Sequence, residues 1–112
     1  MAPPVLNVRL ALEHPDREGD GLGGYRIEWR HLGWLWAAMA ARSGVQRQAE
    51  VSAESVVTWQ ITLRAAPVGD VRRPAPGQRF RLDQRLFVIE AVAEQDRAGR
   101  WLTCFAKEEE LA

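Results

Sequence analysis

The chain has 112 residues, 46% of them hydrophobic, and its 15 basic side chains balance 15 acidic ones. This length predicts a single domain over residues 1–112, with a core at about 6–107 and an acidic tail at 108–112. Zero net charge argues against a dedicated nucleic-acid binder and against a polybasic membrane anchor, since both need a surplus of basic residues.

Two further features bear on where the protein works. The first residues lack the basic start and apolar stretch of a signal peptide, and no apolar run approaches the ~18 residues of a transmembrane helix. Cys104 is the only cysteine, so an internal disulfide is excluded, and its strand-like surroundings predict a buried, inert thiol. We therefore expect no membrane partner and an intracellular protein, or one assembled inside a cell.

The first predicted strand starts at Leu6, where apolar and polar residues begin to alternate as far as Glu13. His14–Gly24 follows with a proline and four glycines, and this composition predicts a flexible connection. A second alternation, over Tyr25–Arg30, predicts the next strand.

In this second strand the alternation of apolar and polar residues shifts by one position after His31. Four of the following residues share a face: Leu32, Trp34, Trp36 and Ala38. Such a slip predicts a β-bulge, and Gly33 beside it permits a sharp bend. We expect the strand to continue to about Ala38, although the alanine-rich run also favours a helix over Leu32–Arg42. Long bent strands of this kind build small barrels.

Ser43–Ser55 is the longest polar interruption between the predicted strands. Its apolar residues show no strong periodicity, so we expect a long polar loop, with a short helix as the alternative for its second part. Long polar loops in compact domains are usually functional.

The second half of the chain continues the strand pattern. Val57–Arg64 alternates most clearly, and the prolines of Pro67–Gly77 predict a loop. Strands follow at Arg79–Asp83, Leu86–Ala93 and Arg100–Lys107, with turns near 83–85 and 96–99. About six or seven strands with regular turns predict an all-β fold, a small antiparallel β-barrel or a sandwich.

The sequence contains no recognisable catalytic or metal site. Neither histidine has the spacing of a metal ligand set, and no nucleophile, acid and base converge. The glycine-rich stretch Gly19–Gly24 precedes a predicted strand, whereas phosphate loops open a helix. We therefore predict a structural or binding protein without enzymatic activity, metal or cofactor.

Five tryptophans are many for this length. Trp29 and Trp59 fall on apolar faces and are predicted core residues. Trp34 and Trp36 are candidates for the core or for an interface, where tryptophan is enriched. Trp101 lies opposite the apolar residues of its strand, which favours an exposed or interfacial position.

The order of these features resembles that of one protein family. A short strand leads to the glycine-rich stretch and GlyGlyTyrArgIleGluTrp, then to Trp36–Ala37, a polar segment and the strand ThrTrpGlnIleThrLeuArg. A loop rich in proline, glycine and arginine leads to ArgPheArgLeuAsp, LeuPheValIleGluAlaVal and a last strand with an acidic end. From Leu6 to Glu110 this order resembles the head–tail joining proteins, the head-closure (stopper) or adaptor proteins of tailed phages and gene transfer agents.

The resemblance implies a small β-barrel that oligomerises as a ring of six or twelve copies in the neck of the particle. It further implies a portal or adaptor ring above, a tail terminator or tail tube below, and double-stranded DNA passing through the channel. Assembly in the bacterial cytoplasm is implied as well. Either a stopper or an adaptor position is compatible with the sequence.

The resemblance and the place of the polar loop single out two sets of residues. The loop is implied to face the channel or a neighbouring ring through Ser43, Gly44, Gln46, Arg47, Gln48, Glu50 and Glu54. The candidate ring interface consists of Trp34, Trp36, Arg72, Arg73, Trp101, Glu108 and Glu109.

A second reading of the sequence is a ligand-binding or single-stranded-nucleic-acid-binding barrel. It predicts a basic, aromatic strand face, to which Trp34, Trp36, Arg26 and Arg30 would contribute together with Trp29. Zero net charge and the apolar phase of Trp29 weigh against it.

Overall fold

The structure is a computed structural model that describes residues 3–45 and 55–109. Its strands are β1 (Val8–Gly19), β2 (Tyr25–Val45), β3 (Ser55–Arg64), β4 (Arg79–Leu82), β5 (Arg85–Glu94) and β6 (Trp101–Glu108). Neighbouring strands are antiparallel, and the order β1-β2-β3-β6-β5-β4 closes into a barrel because β1 also pairs with β4. The predicted all-β barrel is confirmed, and the helix considered for Leu32–Arg42 is wrong because this stretch lies in β2.

The barrel interior is filled by apolar side chains from every one of these strands. Because side chains alternate along a strand, each strand sends every second residue inward. The buried cluster consists of Leu10, Leu12, Ala37, Ile61, Leu63, Phe80, Phe87, Ile89, Leu102, Cys104 and Ala106. Trp59 packs against this cluster, whereas Trp29, also predicted to be core, lies half-buried outside it.

The predicted β-bulge is present in β2 at Leu32. Leu12 pairs with Gly33 and the next residue of β1, Glu13, pairs with His31, so Leu32 is an extra residue. The bulge sets which residues of β2 face inward beyond it. Trp34 and Trp36 point outward and are 54% and 56% exposed, while Ala37 is fully buried.

β1 is longer than its alternation predicts. It runs to Gly19, so the flexible connection predicted for His14–Gly24 is wrong, and only residues 20–24 connect the strands. Pairing with β4 ends at Glu13, and beyond that point β1 pairs with β2 alone. We call this two-stranded projection, His14–Gly19 with Tyr25–Arg30, the arm.

β2 also extends beyond the predicted end at Ala38, as far as Val45. Ala37 pairs with Val8 on one side and with Leu63 on the other, so β2 leaves β1 and joins β3 at this residue. One long strand therefore links the arm to the opposite end of the barrel.

The polar loop predicted for Ser43–Ser55 is shorter than expected. Ser43 and Gly44 are strand residues that pair with Val57 and Val56, and Ser55 begins β3. The remaining predicted loop contacts lie outside the described residues: Gln46, Arg47, Gln48, Glu50 and Glu54.

Candidate assembly surfaces

The arm has a charged face and an apolar face, because alternate residues of a strand pair point in opposite directions. On the charged face, Arg30 Nε donates a hydrogen bond to Asp16 Oδ2 at 2.8 Å. On the other face, Tyr25 and Ile27 are 59% and 47% exposed, and the Arg17 guanidinium lies 4.6 Å from the Tyr25 ring centroid. The arm thus presents an apolar stripe to a partner.

The tip of the arm is ordered by Asp20. Its Oδ1 accepts hydrogen bonds from the backbone N–H groups of Leu22 at 2.7 Å and Gly24 at 3.0 Å. Gly21 and Gly23 adopt φ values of 80° and 88°, a region that favours glycine. The turn leaves the Leu22 side chain 89% exposed at the end of the arm.

The base of the arm is fixed to β4 by a buried ionic cluster. Glu13 accepts hydrogen bonds from Arg79 Nε at 2.6 Å and from Arg81 Nε at 3.0 Å, and the Arg79 guanidinium lies 3.9 Å from the Trp29 ring centroid. Burial opposes ionisation of Glu13, but the two arginines outweigh it and lower the pKa of this carboxyl. This cluster lies where β1 leaves β4 and the arm begins.

Two arginines and three tryptophans form one outward-facing patch across four neighbouring strands. Arg9 pairs with Trp36 between β1 and β2, and Arg64 pairs with Trp101 between β3 and β6. Arg64 also lies beside Trp36, because both line one groove. The guanidinium groups of Arg9 and Arg64 lie 4.2 and 5.2 Å from the ring centroids of Trp34 and Trp101. We call these five residues the Arg–Trp surface.

Two grooves flank Arg64 on the Arg–Trp surface. The larger, of about 520 Å³, lies between Trp101 and the segment Pro3–Pro4. The smaller, of about 230 Å³, is mainly apolar and is lined in part by Leu6 and Trp36. The larger groove is also lined by Asp96 and Arg100, whereas the smaller one can accept a small apolar side chain next to Arg64.

The comparisons with known proteins agree with this architecture. The sequence profile of the phage head completion proteins matches residues 1–109. The chain belongs to the phage head completion protein family. The family membership confirms the resemblance to head–tail joining proteins that the order of sequence features indicated.

A solved structure contains a chain with the same fold. One chain of a structure described as the virion of a native gene transfer agent (GTA) particle is 49% identical to this sequence. It superposes with a TM-score of 0.81, covering 98% of this chain and 100% of that chain. No curated protein matches the sequence.

The predicted interface residues of this head completion protein separate into two groups. Trp34, Trp36 and Trp101 belong to the Arg–Trp surface, with Trp101 half-buried beneath Arg64. Arg72 is exposed in the loop between β3 and β4, where its Nε lies 3.8 Å from Asp70. These residues are available to a neighbouring molecule.

Arg73 instead makes contacts within its own chain. Its Nη1 donates to the Ala66 carbonyl at 2.8 Å, and its Nη2 lies 3.6 Å from Glu94. It therefore holds the β3–β4 loop against the end of β5.

Glu108, predicted to be in the acidic tail, is the last residue of β6. It accepts two hydrogen bonds from Arg85, at 2.7 and 2.8 Å, and one from Trp59 Nε1 at 3.2 Å. The hydrogen bonds from Arg85 lower the pKa of the Glu108 carboxyl, although partial burial opposes this. Glu109 is exposed, and its N–H donates to the Leu86 carbonyl at 2.8 Å.

Within residues 3–45 and 55–109, no group of three or more histidine, cysteine or acidic side chains is arranged to hold a metal ion. The same residues contain no helix long and apolar enough to cross a membrane. Burial raises the pKa of the Cys104 thiol to about 12.

The sequence alone does not single out Arg9 and Arg64 as site residues. Both occupy polar positions of alternating strands, which is where solvated arginines usually lie. Arg9 lies beside tryptophans because of the register between β1 and β2, and Arg64 lies beside Trp101 because β6 neighbours β3 and not only β5. Local sequence patterns do not contain this strand order.

Proposed function

We propose that this chain is a non-catalytic, ring-forming subunit of the neck of a tailed phage or gene transfer agent particle, where it joins the head to the tail. The single observation that supports this most strongly is the 49% identity, over 98% of the chain, to a chain of a gene transfer agent virion. Membership of the head completion family supports the same role.

In this proposal the ring of six or twelve copies lies between a portal or adaptor ring above and the tail terminator or tail tube below. A closed ring needs heterologous contacts, in which two different surfaces of one subunit meet. The arm and the Arg–Trp surface are each available for such a contact with a different surface of the neighbouring copy. Of the residues predicted from the sequence, we assign Trp34, Trp36, Arg72, Trp101 and Glu109 to contacts between molecules, and Arg73 and Glu108 to contacts within the chain.

The connection between β2 and β3 is proposed to face the DNA channel. Ser43–Val45 and Ser55–Val57 pair only with each other, because the pairing of β3 with β6 begins at Thr58. This end of the β2–β3 hairpin therefore extends beyond β6. Its candidate contacts with DNA or a neighbouring ring remain Gln46, Arg47, Gln48, Glu50 and Glu54, together with Ser43 and Gly44.

Electron microscopy of particles made without this chain tests the joining role. We expect full heads separated from tails, and restoration of joined particles by the wild-type gene. Normal neck assembly and normal DNA transfer in its absence would show that the proposal is wrong.

A second variant tests the channel role. Val45 and Ser55 form a pair, so residues 46–54 can be replaced by Asn-Gly, a two-residue turn that closes a β-hairpin. We expect a folded chain that enters particles but fails to retain DNA, whereas the control Arg97→Gln at an exposed turn has no effect. Full DNA retention by the Asn-Gly variant would contradict the channel assignment.

A further inference from the structure

The two guanidinium groups of the Arg–Trp surface lie beside aromatic rings. Asp96, which lines the larger groove together with Arg64, accepts a hydrogen bond from Arg100. Across the described parts of the chain, neither Arg9 nor Arg64 lies in an ion pair, whereas Arg26, Arg30, Arg79 and others do. An arginine stacked on an indole keeps the edge of its guanidinium free for hydrogen bonds. The surface therefore offers two oriented cationic donors to a ligand.

The chemistry of the surface defines the ligand. Stacked guanidinium groups bind carboxylates through paired N–H donors. The groove beside Arg64 that is lined by Leu6 and Trp36 is mainly apolar and accepts an aliphatic side chain. The matching ligand is thus a short peptide segment that combines carboxylates with an adjacent aliphatic residue.

The end of this same sequence has that composition. After β6 the chain continues as Glu109, Glu110, Leu111 and Ala112. We call Glu109–Ala112 the tail segment. Its two carboxylates complement Arg9 and Arg64 in charge, and Leu111 complements the apolar groove.

The tail segment cannot reach the Arg–Trp surface of its own chain. β6 has eight residues from Trp101 to Glu108 and spans roughly 23 Å. Glu109 is bonded to the Leu86 carbonyl at the end of β6 opposite to Trp101. The three residues that follow extend by at most about 11 Å. A tail segment on this surface must therefore come from another copy of the chain.

We propose that the tail segment of one copy docks on the Arg–Trp surface of the neighbouring copy. This inference rests on the proposed ring, since it assigns one of its contacts. Glu109, the first residue of the tail segment, and the surface lie at opposite ends of β6. Each copy can therefore give one contact and receive one, as a closing heterologous ring requires.

A nucleic acid fits the same surface less well. Stacking platforms for bases need free aromatic faces, whereas Trp34 and Trp101 each have a guanidinium over the ring. The chain also lacks the basic surplus that phosphate binding requires. A peptide carboxylate needs only the free edges of Arg9 and Arg64.

Peptide binding tests the proposal directly. A fluorescent peptide of residues 105–112 is titrated with the full-length protein at low salt, and its anisotropy is measured. We expect saturable binding that weakens about tenfold for Arg64→Glu and for Arg9→Glu, while the control Arg97→Glu binds as the wild type does. A peptide with glutamine at 109 and 110 is expected not to bind.

Three results would overturn the docking proposal. They are absence of peptide binding, binding that neither Arg9→Glu nor Arg64→Glu weakens, and binding of a short thymidine oligonucleotide in place of the peptide. Both arginines are exposed, so we expect the two variants to fold. Circular dichroism of each variant checks this expectation.

Cross-linking in assembled particles separates this proposal from the joining role. The double variant Leu6→Cys with Leu111→Cys is oxidised, and we expect covalent multimers, whereas Arg97→Cys with Leu111→Cys gives none. Buried Cys104 does not compete. If microscopy shows the chain at the neck but no multimers form, the docking is wrong and the joining role stands. If the chain is absent from the neck, the joining role itself is wrong.

Discussion

Arg79 donates a hydrogen bond from Nε to Oε1 of Glu13 at 2.6 Å, and both residues are buried where the arm leaves the barrel. Glu13 is the last residue of β1 that pairs with β4, and Arg79 is its partner in that ladder. The ion pair therefore lies at the point where β1 leaves the closed barrel and continues into the arm. Its loss would affect the stability of the fold.

The first prediction concerns the acid sensitivity of this pair. The pKa of Glu13 is lowered from its ordinary value of 4.5, so its charge stabilises the fold above that value. The stabilisation is lost as pH falls below about 4.5 and through the folded pKa. Glu13→Gln should lower the free energy of unfolding by about 1.5–3 kcal/mol at neutral pH, the value of a hydrogen bond to a charged group, and make its pH dependence shallower.

Urea denaturation at a series of pH values measures both effects of Glu13→Gln. The control is Glu90→Gln, at an exposed position of β5. Parallel pH curves for wild type and Glu13→Gln would mean that the pair does not contribute to acid sensitivity.

The second prediction concerns the Cys104 thiol. It is buried, and its pKa of about 12 leaves almost no thiolate at neutral pH. We expect no reaction with a thiol reagent in the folded protein and complete reaction in guanidinium chloride. Ala98→Cys, at an exposed turn, is the reactive control. Rapid labelling of native Cys104 would contradict its buried position.

The third prediction concerns the turn between β4 and β5. Asp83 has a φ of 54°, a region that is unfavourable for most side chains and worst for β-branched ones. Asp83→Val should lower the free energy of unfolding by about 1–2 kcal/mol, while Asp83→Gly should leave it nearly unchanged. Thermal denaturation measures the difference, with Gln84→Val as the control at the next position. Equal losses for the two valine variants would disprove the backbone explanation.

The fourth prediction contrasts two large aromatic side chains. Phe80 is fully buried, so Phe80→Ala should cost about 3–5 kcal/mol of stability. Trp34 is 54% exposed, so Trp34→Ala should change the free energy of unfolding by less than about 1 kcal/mol but impair incorporation into particles. Chemical denaturation and particle counts measure the two effects. Normal incorporation of the Trp34→Ala variant would show that this tryptophan is not part of the interface.

Several features of the fold could be predicted from the sequence because they are local. Alternation of apolar and polar residues identified the strands, since side chains on a strand alternate between faces. The phase slip after His31 located the bulge at Leu32, because one extra residue reverses which side chains face inward. The order of strands and loops also identified the family.

The full lengths of β1 and β2 were decided by tertiary structure. Pro15 favoured a loop, but β1 is an edge strand at that point, where a missing N–H is tolerated. The alanine-rich run of β2 has a helical preference, which pairing with β3 overrides. In both places the deciding partner is distant in sequence.

The candidate interaction site also combines features that the sequence predicts with features that only the tertiary structure decides. Composition and alternation established that the tryptophans are numerous and that the charges balance, because both are properties of the chain itself. Only the strand order of the barrel placed Arg9, Trp36, Arg64 and Trp101 side by side, because it pairs β3 with β6, two strands that are not consecutive in the chain. The acidic tail was visible in the sequence, whereas the surface that complements it exists only in the folded barrel.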